Sequence, residues 1–203
     1  MVLSILTAAL ACYFLGNHNG AICVSLMMGD DVRTHGSGNA GLTNFIRSYG
    51  TGRAVLVILI DAGKAALACA AGGLLLRPYL DFMGGAAIGG TAVMLGHDFP
   101  ALLGFRGGKG ILSGLFIALV VDWRIGLLIL AVFAAVYMLT KYVSLGSVLA
   151  AMTFGVAFAV LHNDNLPVML CGIFMGVLTV FMHRGNIVRL LKGTESKTNL
   201  LKK

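Results

Sequence analysis

The chain has 203 residues, 58% of them hydrophobic and 11% charged, and 15 Lys plus Arg against 8 Asp plus Glu give a net charge of +7. A soluble domain carries about 25% charged residues, and a mean hydropathy of +0.92 is more than a single soluble core of this size requires. These values exclude a soluble globular enzyme, a disordered chain and a coiled coil, and predict an all-α, polytopic integral membrane protein.

Seven apolar runs follow in chain order: residues 1–16 (extendable to 28), 54–76, 82–96, 111–121, 125–140, 144–161 and 166–182. A bilayer core of about 30 Å takes about 20 apolar residues as a helix. The 111–121 run is the weakest, and it must borrow the glycine-rich residues before it or remain a partial span. No basic stretch precedes the first run, so a cleaved signal peptide is not expected and the first span is read as retained. Pairs such as Gly72-Gly73 and Gly84-Gly85 suit close helix packing in lipid. Cys12, Cys23, Cys69 and Cys171 lie in or beside apolar runs with no CxxC pair, and read as buried thiols, not a disulfide framework or a zinc site.

The basic residues test this count. With seven spans, one side of the membrane holds Arg33, Arg47, Arg53, Arg106, Lys109, Lys141, Arg184, Arg189, Lys192, Lys197, Lys202 and Lys203; the other holds only Arg77 and Arg124, and Lys64 falls within a span. The positive-inside rule then places the long polar loops and the C-terminus in the cytoplasm and the N-terminus outside. Six or eight spans would split this basic set across the membrane.

Three polar segments carry the chemistry. The first runs from Asp30 to Arg47, and its Gly36–Gly41 stretch satisfies GxGxxG. A dinucleotide fingerprint also needs a preceding strand and a βαβ unit, and neither is present. Glycines still let successive N–H groups converge on an anion; Ser37, Asn39, Thr43 and Asn44 add neutral donors and Arg47 a forked cation. A plain Gly/Asn turn between helices is the structural alternative.

The second segment reads Gly96-His97-Asp98-Phe99-Pro100, then Gly104-Phe105-Arg106-Gly107-Gly108-Lys109-Gly110. It is not a nucleotide P-loop, because Leu103 stands where the first Gly belongs and Gly110 replaces the magnesium-binding Ser/Thr. A glycine-flanked lysine before a helix start remains a good phosphate site; otherwise Lys109 is one more positive-inside residue. The third segment is split between Lys141–Ser147, which opens the sixth run, and Met182–Leu190, which closes the seventh. There His183, Asn186 and Arg189 recur every three residues, so a continuing helix brings them to one face; an interfacial basic helix end is the alternative. Within the second run, Asp61 and Lys64 are either a structural pair or lining of a functional cavity.

Together GSGNxGxTN, GHxFPxxxxFxGGKG, YVSLGS and HxxNIxRLxxGxE closely resemble the bacterial acyl-phosphate-dependent glycerol-3-phosphate acyltransferase (PlsY) family, in its order and spacing, from about Asp31 to Glu195. The resemblance implies a seven-helix, multi-pass enzyme of the bacterial inner membrane whose active site faces the cytoplasm, forming a single domain over residues 1–203. It implies transfer of a fatty acyl group from acyl phosphate to the sn-1 hydroxyl of glycerol 3-phosphate, giving lysophosphatidate and phosphate, the first acylation of phospholipid biosynthesis. Carried over residue by residue, the implied site takes Gly36, Ser37, Gly38, Asn39, Thr43, Asn44 and Arg47 from the first motif. It takes His97, Gly107, Gly108, Lys109 and Gly110 from the second, and Ser144, Ser147, His183, Asn186 and Arg189 from the third. Ser37, Lys109, His183 and Asn186 are the expected catalytic set, and the others bind substrate. Asn17-His18-Asn19 departs from the family's Ser-Ile-Pro-like turn, and Ile111-Leu112-Ser113 from its Val-Ala-Thr.

An acyl phosphate is an activated mixed anhydride, so no acyl-enzyme, cofactor or metal is needed, and no nucleophile–base spacing announces one. Direct attack by the glycerol hydroxyl is expected, with Lys109 stabilising the leaving phosphate and either His183 or a substrate phosphate taking the proton. The expected partners are the two substrates and membrane lipid, with no nucleic acid and no obligatory protein partner. None of the five histidines begins an HxxxxD, the pattern of acyl-CoA-type glycerolphosphate acyltransferases. A phosphate transporter would share the basic glycine-rich loops, but the chain shows no internal repeat and its loops share one side. A silent relative would rest on the altered Asn17-His18-Asn19 turn.

Overall fold

The computed structural model describes residues 1–197; Lys202 and Lys203, counted above on the basic side, lie outside the described residues. Among the described residues the seven apolar runs are seven helices: α1 (Val2–Gly16), α4 (Ala54–Leu75), α5 (Phe82–Asp98), α6 (Ile111–Val121), α7 (Trp123–Thr140), α8 (Val143–Leu161) and α9 (Leu166–Met182). Of three short helices, α2 (Gly20–Met27) lies in the extension of the first run, while α3 (Leu42–Tyr49) and α10 (Arg184–Leu191) belong to the polar segments.

At about 1.5 Å per residue, the 22 residues of α4 reach about 33 Å, enough to cross a bilayer core. α4, α5 with its following turn, α7 and α8 are each long and apolar enough to cross, and α9 with α10, bent by 54°, makes a fifth. α1 and α6 are shorter apolar helices. The first run does not extend unbroken to residue 28. Asn17 returns its amide to the Tyr13 carbonyl at 2.8 Å, and Asn19 caps α2 by accepting from Ile22 N at 3.1 Å. Asn side chains offer the backbone local partners of this kind, which is why they break helices and start new ones.

α5 sits at the centre, against α1, α4, α6 and α9. Lipid gives helices no hydrophobic reason to associate, so the contact depends on small residues and close packing. A Cβ at Gly72 of α4, or at Gly85 or Gly89 of α5, would collide with the facing backbone, and one at Gly96 would strike α1 at Tyr13. The core they close includes Cys12, Cys69, Met94, Ile117, Phe154 and Met175. Large apolar residues left outside, among them Leu3, Leu6, Leu59, Leu67, Leu127 and Leu139, form the surface that lipid covers.

Alternating helices give the bundle two ends. At one, Asp81 caps α5 by accepting from Gly84 N at 2.8 Å, and Asn165 reaches it at 2.7 Å. All three polar segments meet at the other.

Candidate active site

The first polar segment is held by its own side chains. Asp31 accepts from Arg33 N at 2.9 Å, closing a single 3₁₀ turn. Asn44, at the start of α3, takes Ser37 N at 2.9 Å and donates to the carbonyls of Val32 and His35 at 3.1 and 3.0 Å. Its amide therefore shapes the loop, and Gly36 at φ +54 leaves room for it. Arg33 reaches across to the Leu103 carbonyl at 2.8 Å, joining the first segment to the second.

The second segment hangs from α1. Tyr13 donates to the Phe99 carbonyl at 2.6 Å and accepts from Ala101 N at 3.1 Å, while Asn17 accepts from Leu102 N at 2.9 Å. The altered Asn17-His18-Asn19 turn is thus built into the loop architecture. Gly108 N donates to the His97 carbonyl at 3.0 Å, and a Cβ on Gly108 would overlap the His97 ring. The glycines before Lys109 therefore let the loop lie flat on His97. The third segment is hinged at His183, between α9 and α10.

Together the segments enclose a cavity of about 630 Å³. Of the predicted site residues, Gly36, Ser37, Asn39, Thr43, Asn44, Arg47, His97, Lys109, Gly110, Ser144, Ser147, His183, Asn186 and Arg189 line it. Gly38, Gly107 and Gly108 are not among its lining residues. Below the polar mouth the cavity continues between α6, α7, α8 and α9, lined by Leu115, Ile129, Phe133, Ala150, Phe154 and Met175. Asp61 and Glu195 also line it, though neither is in the predicted site. Glu195 was legible only as the last residue of the HxxNIxRLxxGxE pattern.

The mouth is a chain of charge-assisted contacts. Lys109 Nζ donates to Asn186 Oδ1 at 2.5 Å. Asn186 donates to Glu195 at 2.8 Å, and Arg189 Nε donates to the same carboxylate at 2.6 Å. Burial, and then the nearby Arg189, hold the Lys109 amine below the ordinary lysine range, with Glu195 pulling it back up. Burial opposes ionisation of Glu195, but the hydrogen bonds from Asn186 and Arg189 outweigh it and keep its carboxyl below the usual range.

His183 is 5% exposed, and its Nδ1 lies 2.8 Å from the Thr179 carbonyl. A carbonyl only accepts, so Nδ1 carries the proton and Nε2 keeps its lone pair. Asp61 and Lys64 form a buried ion pair at 2.7 Å.

A sequence model for glycerol-3-phosphate acyltransferase matches residues 6–193. The chain belongs to the glycerol-3-phosphate acyltransferase family. It is thereby a membrane acyltransferase enzyme. A family member from Thermoanaerobacter sp. (strain X514) is 40% identical over 195 residues, covering 96% of this chain and 95% of that one. One from Finegoldia magna is 37% identical, covering 96% of each. A solved structure of the integral membrane acyltransferase PlsY (YgiH) in its glycerol 3-phosphate form superposes with a TM-score of 0.86 at 30% identity, over 98% of this chain and 97% of that one. Its lysophosphatidic acid form gives 0.83 at 29% identity, with the same coverage.

Proposed function

We propose that the chain, acting as one domain, transfers a fatty acyl group from acyl phosphate to the sn-1 hydroxyl of glycerol 3-phosphate, releasing lysophosphatidate and phosphate. The observation that carries this reading is the cavity's two-part lining. A mouth with Lys109, Arg47 and Arg189 suits two phosphates, and the apolar arm between α6 and α9 suits a fatty chain. The solved relatives, by their descriptions, hold glycerol 3-phosphate and lysophosphatidic acid, a substrate and a product of this reaction. The one-sided distribution of basic residues supports a mouth facing the cytoplasm of a bacterial inner membrane.

The hydroxyl oxygen attacks the acyl carbonyl carbon, the carbon–oxygen bond to phosphate breaks, and an ester forms. His183 Nε2, with its lone pair inward, takes the hydroxyl proton and passes it to the departing phosphate. A positioned base of this kind is worth about 10²–10⁴-fold. Lys109 and the loop N–H groups stabilise the charge that develops on the carbonyl oxygen and leaving phosphate. Asn186, held by Glu195, fixes the Lys109 amine, while Arg47 and Arg189 bind phosphate by their forked geometry. Ser37, Asn39, Thr43, Ser144 and Ser147 supply neutral hydrogen bonds, and Gly36, Gly38, Gly107, Gly108 and Gly110 give the loops their shape. The anhydride is already activated, so the reaction balances without a cofactor.

The test is lipid-reconstituted protein with palmitoyl phosphate and labelled glycerol 3-phosphate, beside Lys109→Ala. Lysophosphatidate and released phosphate from the unmutated protein alone are the expected result. No product with any acyl phosphate, from folded protein that does accept acyl-CoA, would overturn the donor assignment.

A further inference from the structure

Two histidines line the cavity, and their surroundings differ. His183 gives its Nδ1 proton to a carbonyl. His97 meets two donors at the same atom. Lys64 Nζ lies 2.7 Å from His97 Nδ1, and Asn19 Nδ2 lies 3.3 Å from it. The orientation of the Asn19 amide is fixed independently, because its oxygen accepts from Ile22 N at 3.1 Å and its nitrogen donates to the Ala40 carbonyl at 3.0 Å. Lys64 has three protons. Four acceptors surround them: Asp61 and His97 Nδ1 at 2.7 Å, the His18 carbonyl at 3.1 Å and the Gly16 carbonyl at 3.3 Å, so His97 and Asp61 make the two shortest contacts and the two carbonyls share the remaining proton.

The competing arrangement has His97 Nδ1 donating to Asp61. That separation is 3.5 Å, and the same Asp61 oxygen already takes Lys64 and Gly20 N at 2.7 and 3.0 Å. Nδ1 is therefore the acceptor, and the imidazole proton sits on Nε2. The Nε2 edge is the one that lies on Gly108, next to Lys109. The carboxylate that balances Lys64 in the membrane interior thus also keeps it a charged donor.

We propose that His97 is a fixed Nε2–H donor to a substrate phosphate, and that Lys64, Asp61 and Asn19 are the positioning residues that hold it in that tautomer. This rests on the proposed acyl transfer for its ligand, and deepens it: one histidine presents a lone pair for the hydroxyl proton, while the other presents a proton to a phosphate. It also gives a role to Asn19, in the turn where the chain departs from the family pattern.

The experiment is long-range ¹H–¹⁵N spectroscopy of the full chain in lipid, labelled at histidine, with His97 assigned by its loss in His97→Gln. The expected spectrum has His97 protonated at Nε2 only. Glycerol 3-phosphate or palmitoyl phosphate, each added alone, should move that signal, and whichever does so identifies the phosphate bound. Protonation at Nδ1, or a signal that neither phosphate moves, would overturn the proposal. The reading needs no turnover, so it stands or falls separately from the acyl-transfer assay.

Asp61→Asn/Lys64→Met keeps charge balance and an oxygen for Gly20 N while removing the donor. It should give mixed His97 tautomers and raise the KM of the phosphate that binds there about tenfold, with a smaller change in kcat. Asp61→Asn/Lys64→Gln returns an amide donor and should restore both. Should both doubles fail to fold, Asn19→Ser keeps the α2 cap and removes only the amide donations, and should move the same tautomer signal. Lower thermal stability with the tautomer unchanged would mean a purely structural role.

Discussion

The two ends of the bundle bury the same kinds of side chain and use them in opposite ways. At the end away from the polar segments, Asp122 accepts from Arg124 N at 3.0 Å, from the Arg124 guanidinium at 2.7 Å and from His162 at 3.0 Å. Asp81 and Asn165 cap α5 and α9 and bind each other. These polar groups close on helix ends and on each other, and they tie α6–α7 to α8 and α5 to α9. At the other end, Lys109, Asn186, Glu195 and Arg189 also touch, but they do so around a cavity. A carboxylate, a cation and a histidine are therefore not by themselves a site. What separates the two clusters is whether the donors converge on open volume.

Substitutions can break this contrast. His183→Ala should reduce turnover most, by about 10²–10⁴-fold if its Nε2 is the base. Near-normal turnover would move the proton to a substrate phosphate. Lys109→Met should follow, with a loss of about 10²–10³-fold in kcat and an unchanged unfolding midpoint; a large fall in that midpoint would make Lys109 a structural residue like Asp122. Glu195→Gln removes the negative charge that raises the Lys109 amine. The amine then loses its proton at lower pH, so the alkaline limb of the pH–rate profile should shift downward. A profile that does not move would uncouple the two residues.

The smallest effect on turnover belongs to the far end. Arg124 holds the Asp122 carboxyl down to about 2, with burial opposing and His162 assisting. A carboxyl depressed on folding stabilises above its unfolded value of about 4 and loses that contribution as pH falls toward its folded value. Asp122→Asn should therefore lower stability by about 2 kcal/mol at neutral pH, with the difference from the unmutated protein shrinking below about pH 4. Its acyl transfer should stay normal at temperatures where it is folded. A turnover defect there would mean that the two ends are coupled.

Much of this was legible in the chain. The apolar runs became helices with boundaries shifted by one or two residues, because burial in lipid and backbone hydrogen bonding leave a long apolar segment little choice but a helix. Fourteen of the predicted site residues line one cavity, drawn from four motifs that between them concentrate glycine, hydroxyl, amide and cationic groups. Less legible were Glu195, whose partners Asn186 and Arg189 are reached only when the chain turns back after α10, and the surroundings of Asp61, which spacing disclosed as a pair with Lys64 but not as the neighbour of Gly20 and His97. The break at Asn17–Asn19 read as a departure from a pattern; in three dimensions those amides hold the second loop and touch His97.

The sequence by itself determined the membrane class, the helices, the basic side and where glycine, polar and cationic groups concentrate. All of these follow from local composition, since hydropathy, charge and glycine content act residue by residue. Only the tertiary structure decided which groups face the cavity, how far it runs between α6 and α9, and which nitrogens of His97 and His183 meet a donor or an acceptor. A proton's position depends on the neighbour within about 3 Å. For His97 that neighbour is Lys64, 33 residues away in the chain.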